Sequence, residues 1–352
     1  MTIYDLLQQL VDQKGSDIHL LVGSPPMFRV DGELRAVADL PALDEAAAEA
    51  LILPLLNQDQ QQVFRSNKEL DFGYQFNDQG RFRVNVYLAL GKMAAALRLI
   101  PPTIKTIEEL GLPPILHEFT HFNQGLVLLT GPTGEGKSTT LAALIDEINA
   151  GRNEHILTIE DPVEFVHQPK KSIVSHREVG QDTKEWTAAL KSALREDPNV
   201  VLVGEMRDYE TIAATLTLAE TGHLVFATLH TGSASQTIDR IIDVFPSAQQ
   251  GQIRQQLSAT LKVVAAQRLI AKAGGGRVAA FEIMVVNDAI RNLIRESKVF
   301  QIDNVLQTSG EAGMVLIENY LLDLLNQGVI TRETALATAF RPKELQRLLG
   351  LT

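Results

Sequence analysis

The chain has 352 residues, a formal net charge of −11, 45% apolar residues and no cysteine. That length is enough for two ordinary domains with cores of their own. The missing cysteines exclude disulfides, thiolate metal sites and cysteine catalysis, and they fit a reducing cytosol. The acidic balance argues against a general nucleic-acid binder, which needs a basic surface to displace counterions.

The N-terminal stretch MTIYDLLQQLVDQKG is amphipathic and carries acid, so it is not read as a signal peptide. Ile3, Leu6, Leu7, Leu10 and Val11 recur at helical spacing. Strand-like runs follow at Asp17–Val22, Met27–Val30 and Leu34–Val37, the last two joined by Asp31-Gly32, a good hairpin turn. A helix is expected over Asp44–Leu56, then alternating strands over Leu70–Phe76 and Arg81–Leu88. Pro101-Pro102 ends this α+β block, residues 1–100, and opens a linker that runs to Pro113-Pro114, residues 101–114.

From Ile115 to the end, residues 115–352, the texture changes. Short apolar runs alternate with helical patterns: GLVLLTG at 125–131, HILTIED at 155–161, VVLVGE at 200–205 and HLVFATLH at 223–230. Continuous Val/Ile/Leu runs between helices are what a buried parallel sheet requires, so this block is α/β and doubly wound. Gly274-Gly275-Gly276 marks a turn before a further strand, Val278–Val286, and the tail from Ala289 reads as helices. No apolar run approaches the roughly 18 residues that span a membrane.

Two motifs compete. HEFTH at 117–121 has the H-E-x-x-H spacing of a zinc hydrolase, and GPTGEGKS at 131–138 has the G-x-x-x-x-G-K-S spacing of a phosphate loop. Each arises by chance in roughly one chain in a hundred of this composition, so context decides. The helix around His117 and His121 is confined between Pro114 and Gly125, and Ile115, Leu116, Phe119 and Phe122 explain it as packing. Its candidate third ligands, Asp146 and Glu147, fall on the helix after the phosphate loop. A zinc site there would show as metal in the purified protein.

The phosphate loop has the order its chemistry needs, strand, loop and helix. Gly131, Pro132, Thr133, Gly134, Glu135 and Gly136 form the loop, its glycines letting backbone N–H groups close on phosphate at a helix N-terminus. Lys137 is expected to reach the β- and γ-phosphates and Ser138 to hold Mg²⁺, with Ser138 and Thr139 competent to cap the helix. Glu135 adds negative charge beside phosphate and is expected to point outward. Glu160 and Asp161 close one sheet strand and Glu205 another, where a doubly wound fold places its ligands. Glu205 is expected to help hold Mg²⁺ and to orient or deprotonate the attacking water. His223 and His230 lie seven apart on a strand, on opposite faces and about 23 Å apart, so they cannot chelate one ion. His230 is the candidate γ-phosphate sensor, and His223 is structural or at a subunit boundary.

Taken in this order, these stretches resemble the secretion and type IV pilus ATPases. IEDPVEF is similar to the family's Asp box, GEMRD to its Walker B motif and TGHLVFATLHT to its His box, while GSDIHL and PPMFRVDGELR resemble its PAS-like N-terminal domain. AIRNLIRE at 289–296 resembles the C-terminal motif of the pilus retraction, or twitching motility, branch. Two departures stand out: Glu135 where a small residue is usual, and Gly232 where Thr is common. The resemblance implies a RecA-like P-loop ATPase domain preceded by a smaller PAS-like domain, ATP and Mg²⁺ as cofactors, and a homohexamer. It implies a cytoplasmic motor at the inner face of the membrane, working on a platform protein at the pilus base and paired in some systems with a paralogous retraction ATPase. Glu160, Asp161 and Glu164 match the Asp box, and Arg83, Arg98 and Arg195, with Arg81 beside them, are candidates for stabilising γ-phosphate charge. The accessory retraction paralogue, a pilus-assembly or type II secretion motor, and a nucleotide-binding regulatory protein are the alternatives.

Overall fold

A computed structural model of the chain describes every residue except Asp78, Pro101, Glu311, Ala312 and Thr352. The expected linker start at Pro101 therefore lies outside the described residues. The chain divides into two compact units: Met1–Ile104 together with Asp161–Val166, and Lys105–Glu160 together with the chain from His167 onward. The six residues Asp161–Val166 thus belong with the first unit although they lie in the middle of the second one's sequence.

The first unit runs α1 (Ile3–Asp12), β1 (Asp17–Leu20), β2 (Met27–Val30), β3 (Glu33–Ala36), α2 (Glu45–Ile52), α3 (Gln58–Asn67), β4 (Glu69–Phe76), β5 (Gly80–Ala89) and β6 (Lys92–Ile100). The strands form one antiparallel sheet in the order β3-β2-β1-β6-β5-β4. Asp31 and Gly32 both take positive φ, 54° and 85°, as a two-residue turn of this hand demands. Strand β5 alternates buried and half-buried residues, which turns Phe82, Val84 and Val86 into the core and Arg81, Arg83 and Asn85 to the other face. Leu6, Leu7 and Leu10 of α1 pack into the same core.

The second unit runs α4 (Leu116–Thr120), β7 (Gly125–Thr130), α5 (Lys137–Gly151), β8 (His155–Glu160), β9 (Ile173–Glu178), α6 (Trp186–Ala193), β10 (Val200–Val203), α7 (Tyr209–Glu220), β11 (Leu224–Leu229), α8 (Ala234–Asp243), α9 (Ser247–Thr260), β12 (Leu261–Ala271) and β13 (Arg277–Val285). It then closes with α10 (Asp288–Arg295), α11 (Ile302–Thr308), α12 (Ile317–Asn326), α13 (Arg332–Thr338) and α14 (Pro342–Leu348). The sheet order is β13-β12-β7-β11-β10-β8-β9, parallel except for β13. Strands β7, β10 and β11 are buried at every residue, because helices cover both faces. Leu141, Leu144 and Ile148 of α5 pack on one face. Helices α6 to α10 pack on the other.

Candidate active site

The phosphate loop begins where β7 runs out of sheet. Gly131 takes φ +137°, and a Cβ there would stand 2.4 Å from the Gln267 carbonyl oxygen on β12, so no other residue fits without moving the loop. Gly136 takes φ +83° and is the N-cap of α5, with no side chain closing the helix end. This corrects the expectation that Ser138 or Thr139 caps it: both lie inside the helix, half-buried in its first turn. By contrast α7, α8 and α10 are closed by Asp208, Ser233 and Asn287. The first N–H groups of α5 are left for an anion, at the positive end of a 15-residue helix. Pro132 is half-buried, and Thr133 and Gly134 stand exposed at the crest.

Lys137 is buried and donates from Nζ to the carbonyls of Gly131, at 2.6 Å, and Pro132, at 2.9 Å. Its ammonium is therefore held inside the loop. The expectation for Glu135 is overturned. Its carboxylate turns onto β12 instead of outward, accepting from the Leu269 backbone N–H and lying 3.5 Å from Arg268 Nη1. Gln267 completes the tie: its Nε2 donates to the Glu135 carbonyl at 2.7 Å, and its Oε1 accepts from Thr140 at 2.9 Å. None of this was visible in the sequence, where β12 follows α9 with no Gly or Pro to announce a strand.

Glu205 sits just past β10, two strand spacings or about 10 Å from β7 across the intervening β11. Strand β11 pins this turn: Thr228 Oγ1 donates to the Gly204 carbonyl at 2.5 Å and Met206 N–H donates to the Thr228 carbonyl at 3.0 Å. Both carboxylate oxygens of Glu205 are engaged, one by His230 Nε2 at 2.9 Å and the other by Arg207 Nε at 2.8 Å. His230 and Glu205, assigned separately from sequence, are thus one contact, and Arg207 is a member the motif spelled out without revealing its role. His223 flanks the other end of β11 and turns its Nδ1 to the Leu218 carbonyl at 2.9 Å, at the end of α7. Oxygen donors such as the Ser138 hydroxyl and the Glu205 carboxylate suit a hard cation like Mg²⁺.

Glu160 ends β8 inside the second unit, close enough to Gly204 that a Cβ there would lie 3.3 Å from the Glu160 Cα. Asp161 is joined to Pro162 by a cis peptide bond. In the first unit, Arg81 Nε donates to the Val163 carbonyl at 2.9 Å and Arg83 Nη1 lies 3.6 Å from Glu164. Arg83 and Arg98 face each other across the β5–β6 ladder. Arg98 pairs with Asp17 at 3.0 Å. Burial pushes the Asp17 carboxyl up, but the Ser16 hydroxyl and the Arg98 and Arg29 guanidiniums outweigh it and hold it below the usual carboxylate range. Arg195 is exposed just beyond α6.

HEFTH does not form a metal pair. Helix α4 has five residues. His117 turns Nδ1 to Glu147 at 2.8 Å and Nε2 to Glu108 at 3.0 Å, while His121 turns Nδ1 to the His117 carbonyl at 2.8 Å. The two imidazoles are spent on different partners, and no group of three or more His, Asp or Glu among the described residues is arranged to hold a metal ion. In α10, the AIRNLIRE segment buries Ile290 and Ile294 and turns Arg295 to solvent, with Arg291 2.6 Å from Asp288.

Residues 1–336 match the family described as "Type II/IV secretion system protein". The type IV pilus retraction ATPase PilT of Pseudomonas aeruginosa is 50% identical over 343 residues, covering 97% of this chain and 99% of that protein. A twitching motility protein of Neisseria gonorrhoeae is 46% identical, covering 95% of this chain and 89% of its own. Among solved structures, a pilus retraction motor PilT with bound ADP superposes with a TM-score of 0.92 at 46% identity, covering 99% of both chains. With its sheet order, phosphate loop and acid-ended strand β10 all in place, the chain belongs to the type II/IV secretion ATPase family and groups with its pilus retraction branch.

Proposed function

We propose that this protein is a motor ATPase that couples ATP hydrolysis to the retraction of a type IV pilus. It works as a homohexamer at the inner face of the membrane, on a platform protein at the pilus base. The observation that carries the reading is the pairing of an uncapped α5 behind a glycine loop with a Glu205 carboxylate fixed on both oxygens. Among the described residues no helix is long and apolar enough to cross a membrane.

When bound, Mg·ATP supplies the phosphoanhydride bond whose cleavage drives the motor. Gly131, Pro132, Thr133, Gly134, Glu135 and Gly136 cradle the phosphates with Lys137, Ser138 and Thr139, and the α5 amides and Lys137 provide fixed positive charge there. Ser138 would hold Mg²⁺, with Glu205 helping, partly through water. Glu205 orients and deprotonates the attacking water, and His230 and Arg207 keep its carboxylate from rotating away. Glu160 adds a second acid at the neighbouring strand end, and Arg83, Arg98 and Arg195 contribute positive charge to the transferring phosphoryl group. The residue range 1–100, joined by Asp161–Val166, serves as PAS-like domain, 101–114 as linker, and the rest of 115–352 as ATPase domain.

Steady-state ATPase assays test the chemistry: Glu205→Gln is expected to lose at least about a hundredfold in kcat while still binding nucleotide. Equal rates in Glu205→Gln and wild type would remove Glu205 from the reaction. Deleting the gene tests the direction of work. A retraction motor leaves cells with surplus pili and no twitching, whereas bald cells would make it an assembly motor.

A further inference from the structure

Strand β12 is longer than its neighbour. It pairs with β7 only as far as Ala266 opposite Thr130, yet continues to Ala271. Its last residues therefore overhang the phosphate loop, where the Leu269 N–H would lack a ladder partner. The Glu135 carboxylate takes that N–H in place of a strand carbonyl. Beside it stands Arg268, 3.5 Å from the same carboxylate and lying over the Phe340 ring at 5.2 Å. Both partners are mostly withdrawn from solvent, with side chains 20% exposed for Glu135 and 27% for Arg268. Together they form one wall of a cavity of about 830 Å³ that Ser233, Asp303 and Arg341 also line.

Charge gives the arrangement its meaning. The loop from Gly131 to Lys137 holds two charged side chains, Glu135 and Lys137. Left alone, the acid would offset the field of the lysine at a site that must attract a polyanion. With Arg268 in place the acid is neutralised by a neighbour that lies outside the loop, and the lysine's charge is expressed. Phe340 backs the guanidinium from the other side, and a cation on an aromatic face is favourable in its own right.

We propose that Arg268 is a positioning residue for nucleotide binding that acts through Glu135. It cancels the loop's own negative charge and, with the Leu269 N–H, fixes the carboxylate on β12. The proposal rests on the phosphate loop being the nucleotide site. It gives the departure at Glu135 a partner, so that the acid and its arginine are one device in this chain.

The test is a double-mutant cycle read by fluorescence titration with mant-ADP and, separately, by ATPase kinetics. Arg268→Ala is expected to weaken mant-ADP binding and raise KM for ATP about fivefold, leaving kcat within about twofold. The penalty should shrink as ionic strength rises, because it comes from a like charge left without its neutralising partner. In a Glu135→Gln background the same Arg268→Ala change should cost less than about twofold, since no carboxylate is left to neutralise. An equal penalty in both backgrounds, a penalty indifferent to salt, or no penalty at all would overturn the proposal. Should Arg268→Ala fail to fold, Arg268→Gln removes the charge while keeping a polar side chain with the same run of carbons up to Cδ, and the same cycle applies. Wild-type protein that binds no mant-ADP, or a Lys137→Ala variant that binds it as wild type does, would instead sink the assignment of the nucleotide site itself.

Discussion

His167 is the first residue of the second unit after the Asp161–Val166 excursion, and its side chain is 1% exposed. Its Nδ1 finds no hydrogen-bond acceptor, with Asp146 Oδ1 at 4.0 Å, and its ring stacks on His176 at 5.8 Å. Burial, aided by His176 and opposed by Asp146, pushes the His167 imidazole down to about 4. The sign follows. The folded state holds the ring neutral while the unfolded chain titrates near 6.5, so the stability is whole above that pH and is lost as pH falls toward 4. Between pH 6.5 and 5 the wild type should lose about 1–2 kcal/mol more than His167→Gln, measured by urea unfolding at each pH. A second residue-level prediction concerns Gly131: the added methyl of Gly131→Ala meets the Gln267 carbonyl, so nucleotide binding should vanish and stability fall by about 1–3 kcal/mol. The places of Lys137 and Ser138 were legible in the sequence because the spacing of one strand-loop-helix unit sets them, and that of Glu205 because an acid ends the apolar run of β10. The direction of Glu135 was not, because it is set by Arg268 and Leu269 on a strand more than a hundred residues later.

Several helices of the second unit are closed at the N-terminus by a side chain, α7, α8 and α10 among them. Asn287 accepts from the Ile290 N–H at 3.0 Å and seats α10 so that Ile290 and Ile294 reach the core. Asn287→Ala should cost about 1 kcal/mol in chemical denaturation and leave the phosphate loop unaffected. Strands β7, β8, β10 and β11 could be read directly, since a strand covered on both faces has to be apolar throughout. Three others escaped the same logic. Strand β6 opens with Lys92, Met93 and three alanines, a run equally at home in a helix. Strand β9 is a half-exposed edge with His176, Arg177 and Glu178 in it. The helix-to-strand change at Thr260–Leu261 has no breaker, and only pairing with β7 and β13 decides it. The same absence hid Gln267, Arg268 and Leu269.

Across the second unit, the C-terminal helices are fastened by one guanidinium. Arg341 meets Asp303 at 2.7 Å, Glu318 at 2.8 Å and Glu282 at 3.1 Å, and the side chains of both glutamates are fully buried. Glu282 also accepts from the Ala234 N–H at the start of α8, so the cluster joins the elbow between α13 and α14 to the segment that carries His230. Burial pushes the Glu282 carboxyl up even against the pull of Arg341. Replacing Arg341 by Met strands two buried acids and should cost about 3–5 kcal/mol in chemical denaturation, with α13 and α14 becoming accessible to limited proteolysis. Within the first unit, Arg81 and Arg83 reach their partners Val163 and Glu164 only because six residues are loaned from the middle of the other unit's sequence. A recombinant piece ending at Ile104 would therefore lose those two contacts, however faithfully its sheet formed. No single scission of the backbone yields two whole units, and for that reason studies of either one in isolation call for the intact polypeptide or for a graft that restores the missing hexapeptide.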